Sequence, residues 1–177
     1  MALRTAFAAL ALTALAAAPV SAQTIEQVIR SGADPAREAA TEAAARHFYA
    51  FWNTGAPAEL SAAIAPDFTD RTLPAGRPQG PEGPATASAA FRAAVPDLGV
   101  AIRRMVIAGD WATVHMVFSG HFTGAFNGVQ GQGQPIEFIA TDLVRVEDGR
   151  IADNWHIEDN LALLTQMGLV VPAEGAK

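Results

Sequence analysis

The sequence predicts an α+β fold in which helices cover one face of a curved antiparallel sheet, and three observations predict it. Residues 34–53 have apolar residues at helical spacing, and helix start and stop signals delimit the segments 57–65 and 84–94. From residue 98 to residue 159 apolar residues follow mainly the two-residue period of strands. Within that second region, residues 134–159 have the pattern of a β-hairpin around Asp148-Gly149. Helices first and strands afterwards favour α+β over alternating βαβ units.

Three helices are predicted in the first half of the chain. Asp34 is an N-cap residue followed by proline at the first helical position, so a helix begins there, and it ends near residue 53 before Gly55. Residues 57–65 form a short second helix that ends at Pro66, and residues 84–94 form a third. Between them, residues 67–71 are extended, and the Gly- and Pro-rich segment 74–84 is a loop at the mouth of a pocket.

The second half is predicted to be strands, with one closing helix. Residues 100–107 and 111–122 form two strands joined at Ala108-Gly109-Asp110, and a glycine-rich loop leads to the hairpin of residues 134–159. Residues 160–167 form the last helix, which Gly168 ends. Residues 23–33 have Ile25, Val28 and Ile29 at helical spacing, which predicts a short helix or a poorly ordered leader.

Residues 1–22 have the features of a secretory signal peptide. Arg4 precedes a largely apolar run, and Pro19 stands before Val20-Ser21-Ala22. The apolar run is too short for a membrane-spanning helix. We therefore expect cleavage after Ala22, a periplasmic or secreted protein, and no membrane contact after cleavage.

The overall charge and the cysteine count narrow the classes of partner. The chain has 12 basic and 18 acidic residues, a formal net charge of −6, and no cysteine. Without a basic cluster, nucleic acid and anionic membranes are poor partners. Without cysteine, no disulfide contributes to stability and no thiol is available for covalent catalysis.

The hairpin contains the candidate catalytic pair, Asp142 and His156. Asp142 lies on an otherwise apolar strand face with Phe138 and Ala140, where an ionised carboxylate needs a partner. A three-residue loop, 147–149, would place Asn154 opposite Asp142, with His156 diagonal to it on the same face. A two-residue loop would instead oppose Trp155 to Asp142 and turn His156 to the other face. We favour the three-residue loop because it gathers the polar side chains.

The sequence resembles the SnoaL-like polyketide cyclase (ester cyclase) family, within the nuclear transport factor-like fold. The similar stretches follow the family's order: HFYAFWNTG (47–55), APDFTDR (65–71), GPEG (80–83), VPDL (95–98), AGDW (108–111), SGHFTGAFNGV (119–129), TDLVRVEDGRIADNWHIED (141–159) and LLTQMGL (163–169). The resemblance implies a cone-shaped barrel that encloses a pocket, with residues 34–172 as the domain, 23–33 as a leader and 173–177 as a tail. It also implies aldol-type cyclisation with a carboxylic acid as general acid and base.

The same resemblance assigns residues to the pocket. The family's carboxylate falls on His156, its pocket histidine on Asp142, and a further polar pocket residue on Asp70. The chemical types of the first two positions are therefore exchanged. Arg71 stands where histidine is common in the family, and Phe122 occupies another frequent histidine position, with His121 one place before it.

We therefore predict an exported, cofactor-independent acid/base enzyme, a cyclase, isomerase or lyase, acting on a small apolar carbonyl compound without a metal ion. His156 would be the base or acid and Asp142 its orienter. The predicted substrate-binding residues are Asp70, Arg71, Asn154, Trp155, Phe138 and Ala140. The alternative is a non-catalytic carrier or sensor with the same pocket. A homodimer through the sheet is also expected, with Trp111, His115 and His121 at the contact.

Overall fold

The computed structural model describes residues 25–171. The predicted signal peptide and C-terminal tail lie outside the described residues. The elements follow one another as β1 (Ile25–Arg30), α1 (Pro35–Thr54), α2 (Pro57–Ala63), β2 (Ile64–Asp70), α3 (Glu82–Ala94), β3 (Gly99–Ala108), β4 (Trp111–Phe122), β5 (Ala125–Phe126), β6 (Val129–Gln130), β7 (Gln134–Glu147), β8 (Arg150–Glu158) and α4 (Asn160–Gln166).

Six strands form one curved sheet in the order β1-β3-β4-β7-β8-β2, and β5 and β6 form a small separate hairpin. The four central strands, β3, β4, β7 and β8, are antiparallel to one another. The two edge strands differ, because β1 pairs parallel with β3 and β2 pairs parallel with β8. The α+β class is therefore confirmed, with parallel pairing added at both edges.

The described part of the predicted leader, residues 25–33, does not form the expected helix. Its residues 25–30 are β1, and Ser31 N–H donates to the carbonyl of Ile107 at 3.0 Å. The buried carboxylate of Glu38 on α1 then accepts from the Ser31 hydroxyl and, at 3.1 Å, from Gly32 N–H. Tertiary pairing with β3 thus outweighs the local helical spacing.

Helix α1 begins and ends where its capping residues predict. The Asp34 side chain accepts from Arg37 N–H at 3.1 Å, and Pro35 occupies the first turn. At the other end Gly55 adopts φ 70°, a left-handed conformation that favours glycine. The buried face of α1 includes Phe48, Tyr49 and Phe51, which pack into the core between the helices and the concave face of the sheet.

The hairpin of β7 and β8 has neither of the two registers considered from sequence. Glu147 pairs with Arg150 across a two-residue turn, in which Asp148 and Gly149 have φ 50° and 75°. A bulge at Ala152 then shifts the ladder by one residue, so that Asp142 lies directly opposite His156. The preferred three-residue loop is therefore wrong, whereas the shared face of Asp142, Asn154 and His156 is correct.

Among residues 25–171, the helices lack the length and apolar character needed to cross a lipid bilayer.

Candidate active site

A cavity of about 540 Å³ lies between the concave face of the sheet, helices α1 and α3, and the loop after β2. Such a volume suits a small organic ligand. One part of its wall is aromatic: Phe48, Trp52, Phe68, Phe91, Phe118, Phe126 and Phe138. The Phe118 and Phe138 rings, which come from directly paired positions of β4 and β7, stack with centroids 5.1 Å apart.

Another part of the wall is polar and is formed by Asp70, Arg77, Asp142, Asn154, His156 and Glu158. Three of these residues lie on β8 at alternating positions, so the two-residue period of the strand points all of them inward. Asp142 joins them from β7 and Asp70 from β2. The cavity therefore places several titratable groups beside an apolar surface, as acid/base chemistry on an apolar compound requires.

His156 is held between two carboxylates. Its Nδ1 lies 2.6 Å from Glu158 Oε1, and its Nε2 lies 3.1 Å from Asp70 Oδ2. The side chain is almost wholly buried. Both ring nitrogens therefore have an acceptor, which is the arrangement that a doubly protonated imidazolium needs.

Asp70 is itself fixed by the loop that follows it. Gln79 accepts from Asp70 N–H at 2.8 Å and donates to the Asp70 carbonyl at 2.9 Å. Thr72 N–H donates to Asp70 Oδ1 at 2.9 Å, and the Thr72 hydroxyl accepts from His156 N–H at 2.9 Å. These bonds connect β2 and its loop to the β8 strand that carries His156.

Asp142 has a different environment, although it lies directly across from His156. Its Oδ2 accepts a hydrogen bond from the hydroxyl of Tyr49 at 3.0 Å, and both side chains are buried. Within the described residues, Asp142 forms no hydrogen bond with His156. The orienting role predicted for Asp142 therefore falls to Asp70 and Glu158.

Burial and hydrogen bonding move the pKa values of these groups in a direction that suits proton transfer. Burial raises the pKa of Asp142 from 3.8 to about 7, and the Tyr49 hydrogen bond and the nearby His156 oppose this rise only in part. Burial opposes protonation of His156, but Glu158 and Asp70 raise its pKa to about 9. For Glu158, burial is outweighed by His156, and the pKa of the carboxyl is lowered.

At neutral pH, His156 is accordingly a fixed cation, whereas Asp142 exchanges a proton readily. A group whose pKa lies near the working pH serves best as general acid or base. The pKa values thus favour Asp142, rather than His156, as the group that transfers the proton.

Asn154 has a buried amide oxygen without a hydrogen-bond partner among the described residues. Its side chain lies between Asp70, its partner on β2, and Val144, its partner on β7, and it lines the cavity. A buried polar atom left unpaired costs roughly 1–3 kcal/mol. Such a cost is typical of groups kept for ligand recognition rather than for stability.

Six of the eight predicted site residues line this cavity, namely Asp70, Phe138, Ala140, Asp142, Asn154 and His156. Arg71 and Trp155 do not. Arg71 Nη2 lies 2.6 Å from Asp153 Oδ1, outside the cavity, and its side chain is half exposed. Trp155 lies on the outer face of the sheet, with its ring 5.7 Å from that of Trp111.

Three residues of the site were not identified from the sequence, namely Glu158, Tyr49 and Arg77. Glu158 could have been predicted from the sequence, because it follows His156 by two residues on the same strand and therefore shares its face. Tyr49 lies on α1, and no local signal pairs its hydroxyl with a carboxylate 93 residues away. Arg77 stands in an irregular loop, where no periodicity indicates the direction of a side chain.

The fold and the site together define a small α+β domain with an internal acid/base pocket. The model of the SnoaL-like polyketide cyclase family matches residues 42–167, and the chain belongs to this family. Membership supports a cofactor-independent role of the cyclase or isomerase type. No curated protein matches the sequence significantly.

Solved structures agree with this family and fold. A candidate polyketide cyclase from Bacillus cereus ATCC 10987 has 34% identity and a TM-score of 0.76, over 85% of this chain and 96% of that one. IdmH, a candidate polyketide cyclase from Streptomyces antibioticus, has 29% identity and a TM-score of 0.65, over 72% of this chain and 98% of that one. A Catenulispora acidiphila protein with a ketosteroid isomerase-like fold has 24% identity and a TM-score of 0.57, over 72% and 93%. This last likeness concerns the fold alone.

Proposed function

We propose that the protein is an exported, cofactor-independent enzyme that acts by acid/base chemistry on a small, largely apolar carbonyl compound. The observation that carries the proposal is Asp142, a buried carboxyl group with a pKa of about 7 in the wall of an aromatic cavity. Family membership supports the cyclase or isomerase type of reaction.

In the proposed reaction, the Asp142 carboxylate removes a proton from a carbon next to a carbonyl group. The electron pair of the C–H bond forms a C=C bond to the carbonyl carbon. The π electrons of the C=O bond move onto the oxygen, which gives an enolate. In a cyclase, the enolate carbon then attacks a second carbonyl, and Asp142 returns its proton to the new alkoxide. In an isomerase, it returns the proton to a different carbon. Asp70 and Glu158 keep His156 cationic, so it stabilises the ionised form of Asp142 and the developing negative charge.

A generic substrate tests this role before the natural one is known. In 5-nitrobenzisoxazole, a base removes the C3 proton, the N–O bond breaks, and a coloured cyanophenolate forms. We expect the protein to accelerate this elimination with a kcat/KM that rises with pH through about 7, as Asp142 ionises. Asp142→Asn should lose at least about 100-fold, which is typical for a general base. Asp97→Asn, which changes an exposed carboxylate, is the control.

An Asp142→Asn protein as active as the wild type would overturn the assignment of the base. A wild-type protein that turns over no substrate, yet retains a small molecule through purification, would support the carrier or sensor alternative. Mass spectrometry of the purified protein detects that molecule.

Export and dimerisation remain predictions with their own tests. Cleavage of the proposed signal peptide would give a mature protein that begins at Gln23, which intact-mass measurement of the secreted protein identifies. The dimer would use the outer face of the sheet, where the Ile157 side chain is 76% exposed near Ile139 and Leu143. Sedimentation of the wild type and of Ile157→Lys tests it, and a monomeric wild type would refute it.

A further inference from the structure

One cationic side chain that lines the cavity, Arg77, has hydrogen-bond donors that can contact a ligand. Of the described residues that line the cavity, Arg77 and His156 are the cations. Both ring nitrogens of His156 already lie against carboxylates. Arg77 Nη1 lies 4.0 Å from Asp70 Oδ2, which is too long for a hydrogen bond. The guanidinium donors of Arg77 therefore remain available to a ligand.

The loop that carries Arg77 holds it at the cavity before any ligand binds. Arg77 N–H donates to the carbonyl of Pro74 at 3.1 Å, which closes a turn with Gly76 at φ 83°. Pro78 follows immediately, and a Cβ on Gly83 at the start of α3 would lie only 2.6 Å from the Pro78 carbonyl. Two prolines and this close packing restrict the backbone of the loop, so little backbone entropy is lost on binding.

The charges around Arg77 are balanced, so an anionic group is not repelled. When Asp142 is protonated, the polar wall contains two carboxylates, on Asp70 and Glu158, and two cations, His156 and Arg77. Arg71 cannot supply the cation, because its guanidinium binds Asp153 outside the cavity.

We propose that Arg77 binds the ligand oxygen that carries negative charge, so that the cavity takes planar, conjugated compounds with a carboxylate or enolate oxygen. The apolar ring of such a ligand would lie against the stacked Phe118 and Phe138, with its oxygen directed to Arg77. The inference rests on the proposed function in one respect: the enolate formed by Asp142 would be the anion that Arg77 stabilises during turnover.

Binding of two matched probes tests the proposal without any need for turnover. The probes are 2-naphthoate, which is anionic, and 2-acetonaphthone, its neutral counterpart. Quenching of the cavity residue Trp52 reports their binding at about pH 6, where Asp142 is mostly protonated. We expect the wild type to bind 2-naphthoate more tightly. Arg77→Met should weaken that binding about 10- to 100-fold and leave the ketone almost unaffected.

Arg71→Met is the matched control, because it removes the same residue type from outside the cavity, and it should leave both affinities unchanged. Arg77→Lys keeps the charge but loses the planar fork, so its affinity for 2-naphthoate should be intermediate. Circular dichroism checks that the variants fold. Tighter binding of the neutral ketone by the wild type would overturn the proposal even if Arg77→Met failed to fold. Equal losses in Arg77→Met and Arg71→Met would also overturn it.

The elimination of 5-nitrobenzisoxazole separates this inference from the proposed function. If Arg77 selects the anionic probe but the wild type shows no elimination, the anion-binding role stands and the acid/base role fails. If elimination depends on Asp142 while Arg77→Met retains both its affinity for 2-naphthoate and its rate of elimination, the acid/base role stands and the anion-binding role fails.

Discussion

Replacing Asp142 with asparagine should make the protein more stable at alkaline pH, because the native fold buries a carboxylate there. The pKa of Asp142 rises from 3.8 to about 7 on folding. The folded protein therefore binds this proton more tightly than the unfolded chain does, and stability falls as pH rises through the interval between the two values. Since each pKa unit corresponds to about 1.4 kcal/mol, the ionised carboxylate lowers the free energy of unfolding by roughly 4 kcal/mol above pH 7.

Asparagine has no charge at any pH, and its amide oxygen can still accept the hydrogen bond from Tyr49. At about pH 4, where the wild-type carboxyl is also neutral in the fold, the two proteins should differ by less than about 1 kcal/mol. At about pH 8 the variant should be more stable by roughly 2–4 kcal/mol. The pH dependence that arises from His156 is present in both proteins and largely cancels in the difference.

Urea denaturation followed by tryptophan fluorescence, repeated from acid to alkaline pH, measures this difference. Asp97→Asn is a control of opposite sign, because the hydrogen bond from His121 lowers the pKa of Asp97 and its carboxylate stabilises the fold above its usual pKa. A stability difference between wild type and Asp142→Asn that stays constant with pH would refute the reasoning.

Three further variants test the site. Tyr49→Phe removes a hydrogen bond that lowers the pKa of Asp142, so that pKa should rise in a carboxyl carbon NMR titration; an unchanged or lower value would contradict the role of Tyr49. Glu158→Gln removes the negative charge beside His156 Nδ1, so the pKa of His156 should fall from about 9 toward 6.5 in a ring-proton titration, and an unchanged value would mean that Asp70 alone sets it. Asn154→Leu removes an unpaired buried oxygen, so the melting temperature should stay the same or rise, and a large loss of stability would contradict this interpretation.

Local signals in the sequence were sufficient for most elements. The caps Asp34 and Gly55 define α1, because they satisfy the free backbone groups at the helix ends. The alternation of apolar residues along 111–122 and 134–147 gave β4 and β7. The spacing of apolar residues did not predict β1, because its strand conformation depends on pairing with a segment about 75 residues away in the sequence.

The site was predicted less completely than the fold, for a similar reason. Asp142 was identified because a carboxylate on an apolar strand face is expensive, and this argument needs only the neighbouring residues. The partners of His156 depend on the bulge at Ala152 and on β2, whose Asp70 lies 86 residues before His156 in the sequence. Neither feature has a periodic signal.

The sequence by itself determined the α+β class, the ends of α1, the inward face of the hairpin and the presence of a buried acid on it, because each of these follows from contacts between near neighbours. Only the tertiary structure decided that Asp70 and Glu158 hold His156 as a cation, that Asp142 is the carboxyl with a near-neutral pKa, and that Arg77 rather than Arg71 faces the cavity. Those assignments depend on which distant segments meet and how deeply they are buried, and both are fixed by the packing of the whole domain.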